Sequence, residues 1–475
     1  MQNTEEIWRL VDAKKEKFEA LSDRVWGMPE IAYTEHRSVA EHLAMLEAQG
    51  FRITRDLAGI PTAVMGEAGE DGPVIAILGE YDALPGLSQE AGIAEKRPVE
   101  ANGHGHGCGH NLLGSAALLA ATAVKDYLAK NGLRGRVRYY GCPAEEGGAA
   151  KGFMVREGVF DDVDIAISWH PSAFSGVNDA MSLANTRIDF SFSGRAAHAA
   201  ASPHLGRSAL DAVELMNVGV NYMREHMPSD ARIHYAMLDA GGIAPNVVQA
   251  EAKVRYLIRA RELPELERLI ARVRKIADGA ALMTETRVTT KVVSAVSNLL
   301  ANTPLERAMH ANLERLGPPP FDDADREFAR KIQATLSEED IEAAYRRIGM
   351  AVQQDTPLCD LVVPLDATGA PMMGSTDVGD VSWKVPTVQA RGATYAIGTP
   401  GHSWQLTAQG KTEAAHKGMV HVAKVMAGTA IDAIRDETLL ARAKADHAAR
   451  IGAHPYVCPI PDDVVPPIRM SAAAE

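Results

Sequence analysis

The sequence predicts an α/β protein. A larger domain, built on a mostly parallel central sheet flanked by helices, is interrupted by an inserted α+β domain with ferredoxin-like order. Three observations predict it. Strand and helix patterns alternate with long connections between residues 74 and 169, which is the signature of a parallel sheet. Between residues 186 and 297 the order becomes β-α-β-β-α-β. And 475 residues are too many for one compact core. The divisions that follow are 1–185 and 298–440 for the two parts of the larger domain, with 186–297 inserted between them. A further insertion lies at about 317–370, and a C-terminal extension at 441–475.

The elements are justified in chain order. Ile7, Leu10, Val11, Phe18, Leu21 and Val25 recur on one helical face, so the chain opens as a helix. A second helix runs from about Ser38 to Ala48 and stops at Gly50. The apolar run 74–78, fenced by Gly72-Pro73 and Gly79, reads as a buried strand. Residues 112–128, rich in Ala and Leu, form a helix, and 136–141 and 164–169 form further strands. In the inserted region the strands are 188–192, 233–238, 249–260 and 286–293, with helices at 208–225 and 264–282. On the third of these strands Ala252, Val254, Tyr256 and Ile258 share one face, and Lys253, Arg255 and Arg259 the other. A helix follows at 304–316. Pro318-Pro319-Pro320 breaks the chain, Ser337-Glu338-Glu339-Asp340 opens another helix, and 412–434 is the last long one. Residues 454–467 are rich in Pro and read as irregular.

Composition narrows the function. A net charge of -13 argues against nucleic acid and against an anionic membrane surface, since both need a clustered positive field. A local basic pocket for a small carboxylate substrate stays compatible with it. The start of the chain lacks the basic and apolar regions of a signal peptide. The longest apolar run, 112–124, falls short of the ~20 residues that span a bilayer. Cys108, Cys142, Cys359 and Cys458 show no paired short spacing, so free thiols in a reducing cytoplasm are expected.

The densest chemical signal is residues 103–111, where His104, His106, Cys108 and His110 alternate with Gly. Glycine lets the backbone bend so that donor atoms converge. Thiolate and imidazole suit zinc or a similar divalent ion, and Cys108 and His110 form the leading pair. Glu80-Tyr81-Asp82 follows the first strand, and Asp82 suits a carboxylate that orients a ligating His. Glu145-Glu146 follows the second strand. In such a pair one carboxylate binds metal while the other takes a proton from water. His170 closes the third strand, and His402 stands in a late Gly/Pro-rich turn. Each taken alone has an ordinary structural explanation, but four strand ends that each deliver a metal-type residue point to one site. In the inserted region His198 follows a strand, and Asn246 with Arg259 is a pair suited to a carboxylate.

These strings resemble the co-catalytic metallopeptidase family of aminoacylases, carboxypeptidase G and succinyl-diaminopimelate desuccinylase, in its branch of hippurate and indole-acetyl-amino-acid hydrolases. The strings are 79–85, 106–111, 143–148, 168–171 and 194–199, and the resemblance covers about 20–300 and 370–435. It implies a zinc exopeptidase-like catalytic domain and an inserted lid/dimerisation domain. Two divalent metal ions per subunit, Zn or Mn, would be held by Cys108, His110, Glu146, His170 and His402. Glu145 would be the general base, Asp82 the supporting carboxylate, and His198 an oxyanion donor acting in trans across a homodimer. Asn246 and Arg259 would bind the substrate carboxylate. The implied reaction is hydrolysis of an N-acyl amino acid. Dipeptides are an alternative, and a non-catalytic partner subunit is an alternative of another class. A related second subunit is compatible with the branch. Two positions depart from the pattern: Glu80 replaces the usual His of the first strand end, and Asn111 stands where many relatives have Asp.

Overall fold

The structure is a computed structural model that describes residues 4–370, 374–452 and 455–468. Helices α1 (Thr4–Asp12), α2 (Lys15–Trp26) and α3 (His36–Ala48) precede strands β1 (Arg52–Thr54), β2 (Val64–Glu70) and β3 (Val74–Glu80). Then come α4 (His110–Asn131), β4 (Gly135–Cys142), α5 (Ala150–Arg156), β5 (Ile165–Ser172) and β6 (Gly176–Val177). Strand β7 (Ala184–Ser193) leads through α6 (Ala209–Met223), β8 (Arg232–Asp239), β9 (Glu251–Ala260) and α7 (Leu263–Thr284) to β10 (Arg287–Val296). The remainder is α8 (Thr303–Leu316), α9 (Asp323–Gln333), α10 (Glu338–Arg347), α11 (Val378–Lys384), β11 (Thr387–Ala393), α12 (Trp404–Gln409), α13 (Glu413–Arg435) and α14 (Glu437–Ile451).

Two sheets result. The larger has the order β1-β2-β4-β3-β5-β11-β6. Its centre, β4-β3-β5-β11, is parallel, and β1, β2 and β6 attach antiparallel. Every residue of β3 is buried, as expected for a strand covered on both faces. Helices α4, α13 and α8 cover one face, with α1 and α2 outside them; α5 and α11 cover the other. The smaller sheet, β10-β7-β9-β8, is antiparallel throughout and carries α6 and α7 on one face.

Several expectations need correction. The opening helix is two helices, broken at Ala13–Lys14; the apolar periodicity runs on across the break and does not reveal it. Strands β2 and β11 were not expected from the sequence: each mixes Gly with charged or polar residues, and neither is a continuous apolar run. The extension after 440 is partly helix α14, whose Leu439 and Ala443 join the core. Helix α4 is longer than its apolar run and is apolar enough, by length and composition, to cross a membrane; it is instead enclosed by protein, as the core helix of a globular domain is. The 317–370 insertion has a small core of its own, in which Phe321, Ile332, Tyr345 and Leu358 pack on Phe174 and Ile397. The end of the extension, 469–475, lies outside the described residues.

Candidate metal centre

The C-terminal ends of β3, β4 and β5, parallel neighbours, deliver Glu80, Glu145-Glu146 and His170 to one place. This edge is where open α/β sheets bind ligands. The loop 103–109 brings Cys108 there, with Gly109 in the left-handed region at φ 78° just before α4 starts at His110. Helix α4 can press against the end of β3 because residue 114 is Gly. A Cβ there would lie 2.5 Å from the Glu80 carbonyl oxygen.

Hydrogen bonds fix how the donors face. His110 Nδ1 donates to Asp82 Oδ1 at 2.9 Å, while Asp82 Oδ2 accepts from the Glu146 backbone N–H at 2.9 Å. One buried carboxylate thus ties the first residue of α4 to the loop that follows β4. His170 Nδ1 donates to the Pro171 carbonyl at 2.9 Å, which leaves its Nε2 3.3 Å from Cys108 Sγ. His402 Nε2 lies 3.2 Å from Glu146 Oε1.

The donor atoms form overlapping groups. Cys108, His110 and His170 make one, and Cys108, Glu146 and His402 a second, so Cys108 belongs to both. Glu80, His110 and Glu145 make a third. These residues fit divalent ions on an observation internal to the site. With its Nδ1 proton given to Asp82, His110 turns its other nitrogen toward Glu80 Oε2 at 3.3 Å. That nitrogen is buried and makes no hydrogen bond, an orphaned polar atom among Cys108, Glu80 and Glu145 where a divalent cation would supply the missing partner.

The electrostatics agree. Burial, and then the nearby Glu80 and Glu146 carboxylates, push the Glu145 carboxyl well above the usual carboxylate range. Burial also opposes ionisation of Glu146, but the hydrogen bond from His402 and the charge of His110 outweigh it and hold its pKa at about 2. Burial pushes the Cys108 thiol up, so a cation is the natural means of holding it as thiolate.

Beneath the centre, and not foreseen from the sequence, lies a buried ionic group. Lys151 Nζ is 2.6 Å from Glu80 Oε1 and 2.6 Å from Asp377 Oδ1, with all three side chains out of solvent. The available signals were a Lys in a short, mostly apolar helix and an Asp in a Gly-containing turn, and neither indicates a shared partner.

Other expected residues separate. His106 is buried and bonded to the Val25 carbonyl, away from the donors, and Asn111 ties α4 to Ser22 and Gly410. Arg259 lines a cavity of about 490 Å³ that also holds Cys108, Glu145, Glu146, His170 and His402. His198 and Asn246 do not line it. They sit side by side at the surface, where the Ala199 N–H donates to the Asn246 carbonyl. The 317–370 insertion contributes Ala344, Arg347 and Ile348 to the cavity wall. A second groove, of about 680 Å³ between α8, α13 and α14, contains none of the donor residues.

The model of peptidase family M20/M25/M40 matches residues 76–431. The chain is 48% identical to one of the subunits of p-aminobenzoyl-glutamate hydrolase from Escherichia coli K12, over 97% of this chain and 99% of that one. With the other subunit of the same hydrolase it shares 30% identity, over 49% of this chain and 54% of that one. It is 28% identical to the Xaa-Arg dipeptidase of Mus musculus, over 90% and 88%. A dinuclear metal-binding peptidase of the M20 family from Bacillus subtilis has the same fold, with a TM-score of 0.58 at 18% identity, covering 88% of this chain and 98% of that one.

Proposed function

The chain belongs to peptidase family M20/M25/M40, and on that premise we propose that it hydrolyses p-aminobenzoyl-glutamate to p-aminobenzoate and glutamate. It is a metal-dependent amidohydrolase acting on acyl amino acids. The observation that carries the specific reading is the pair of donor groups sharing Cys108, with Glu145 beside them at the wall of a cavity that also presents Arg259. The strings 374–383 and 398–405 support the same substrate by their resemblance to the aminobenzoyl-glutamate branch.

In this reading Cys108, His110, Glu146, His170 and His402 would hold two divalent ions, Zn or Mn. When bound, the ions supply Lewis acidity to the amide carbonyl and to the attacking water. Asp82 keeps His110 in the tautomer that presents Nε2. Glu145, with its raised affinity for a proton, takes one from the water and delivers it to the leaving amine. Arg259 receives the substrate carboxylate.

His198 and Asn246 act in a second copy's site. Their exposure away from the cavity of their own chain supports this. The homodimer forms through the smaller sheet, whose edge strand β8 exposes Tyr235, Met237 and Leu238. The four cysteines are free, which supports a cytoplasmic setting.

The test is release of p-aminobenzoate by the purified chain with Zn or Mn, against a chelator control. Chelator-sensitive release is expected. No release from a chain that binds about two ions per subunit would overturn hydrolysis of this substrate by the chain alone. The Escherichia coli relative is one of two named subunits of its hydrolase, so a missing second chain is the next arm to test, ahead of other acyl amino acids and dipeptides.

A further inference from the structure

The proposed product, glutamate, carries two carboxylates, and the family resemblance accounts for one cation, Arg259. The structure provides another. Along β7 and β9 alternate residues are buried, so the intervening residues share the sheet's open face. The register sets Asn185 opposite Arg259, Arg187 opposite Leu257, and Asp189 opposite Arg255. Arg255 is neutralised by Asp189 through two contacts, at 2.6 and 3.0 Å. Arg187 and Arg259 are not: among the described residues no carboxylate lies within the 4.0 Å of an ion pair of either one, and Arg259 has only the Ser375 hydroxyl at 3.5 Å.

Both arginines are half-buried and both line the cavity. They are diagonal neighbours across the strand pair, about 7–8 Å apart at the backbone, close enough for their guanidinium groups to grip one small dianion from two sides. Arg187 also sits beside the reacting end. A methyl group at Gly147, next to Glu146, would meet its Nη1 at 4.0 Å. In a chain of net charge -13, two adjacent half-buried cations without partners call for an anionic occupant.

We propose that Arg187 and Arg259 form a two-cation clamp for a dicarboxylic amino acid, so that the site selects acyl-glutamate or acyl-aspartate over neutral and basic counterparts. The proposal rests on the reaction named above for the amide that is cleaved, but not for the anion that is bound. A substrate ending in Arg, of the kind named for the mouse relative, would place a guanidinium against two others.

The test measures kcat/KM for p-aminobenzoyl-glutamate, -glutamine and -arginine in the metal-loaded enzyme and in Arg187→Gln, Arg187→Lys and Arg187→Glu. The wild type should prefer glutamate over glutamine by at least about tenfold. Arg187→Gln should collapse that ratio, Arg187→Lys should retain part of it, and Arg187→Glu should move the preference toward arginine, a gain that misfolding cannot mimic. An unchanged ratio in Arg187→Gln overturns the clamp. Calorimetric binding of glutarate and butyrate separates the two readings. Glutarate preferred over butyrate through Arg187, with no amide cleaved, keeps the clamp and refutes the reaction. Cleavage with equal glutamate and glutamine rates keeps the reaction and refutes the clamp.

Discussion

Replacing Lys151 with Met should destabilise the protein in a pH-dependent way. The ammonium lies 2.6 Å from both the Glu80 and the Asp377 carboxylates, so those oxygens are at most twice that distance apart. Burial alone would discharge the lysine, but the two carboxylates hold it charged well above the usual lysine range. Without it, two carboxylates about 5 Å apart repel by about 3 kcal/mol at an effective dielectric of 20. Breaking a buried ion pair costs about 3–5 kcal/mol, in the same range. At roughly 2 °C per kcal/mol, the melting temperature should fall by about 6–10 °C at pH 8. One carboxyl of the remaining pair would then have a folded-state pKa above its unfolded one. Its protonation stabilises the variant, so the deficit against wild type should be largest at pH 8 and shrink toward pH 5.5. Thermal melts at the two pH values measure this, and adding Asp377→Asn should recover part of the loss. A deficit below about 1 kcal/mol at pH 8, or one that does not change with pH, would refute the reasoning.

Three further outcomes are expected. Glu145→Gln should lower kcat by about 10²–10⁴-fold, the usual contribution of a general base, with metal content unchanged by elemental analysis. Activity near wild type would remove Glu145 from the role. His198→Ala should raise the barrier by about 2.7–4 kcal/mol, and mixing it with Glu145→Gln should restore activity, because a mixed dimer assembles one intact site; failure to complement would exclude action in trans. His42 is buried, accepts from the Tyr139 hydroxyl at 2.8 Å, and is depressed by burial and then by Arg24 to about 3. Its stabilising contribution is therefore complete above pH 6.5 and drains as the pH falls toward 3, by about 2 kcal/mol between pH 6.5 and 5. Urea unfolding of wild type and His42→Gln across that range should show a flatter slope in the variant, and identical slopes would contradict it.

What was legible in the sequence was whatever the backbone needs and the residues must announce. Strand ends are punctuated by Gly and Pro because the chain turns there, so the donors at 108, 110, 145, 146, 170 and 402 could be grouped before their distances were known. The alternation in β9 placed Arg259 on the open face correctly. Lys151 and Asp377 stayed hidden because an ion pair between distant segments leaves no local pattern. Arg187 stayed hidden for a related reason: a single Arg on an alternating strand looks like solvent-facing charge until the neighbouring strand shows that no carboxylate among the described residues pairs with it. Strand β11 was missed because Thr387–Ala393 owes its place to pairing with β5 rather than to its own apolarity.

That pairing has a consequence for synthesis. Ala166 of β5 aligns with Thr387 of β11, and the whole smaller sheet is encoded between them. At 5–20 residues per second, the roughly 220 intervening residues take about 10–45 s to leave the ribosome. For that interval β5 presents a bare parallel edge, the kind of surface that templates aggregation. A chain cut short before residue 387 keeps that edge permanently. Termination just ahead of the last fifth of the message should therefore yield insoluble product, even though Cys108, His110, Glu146 and His170 have already been made.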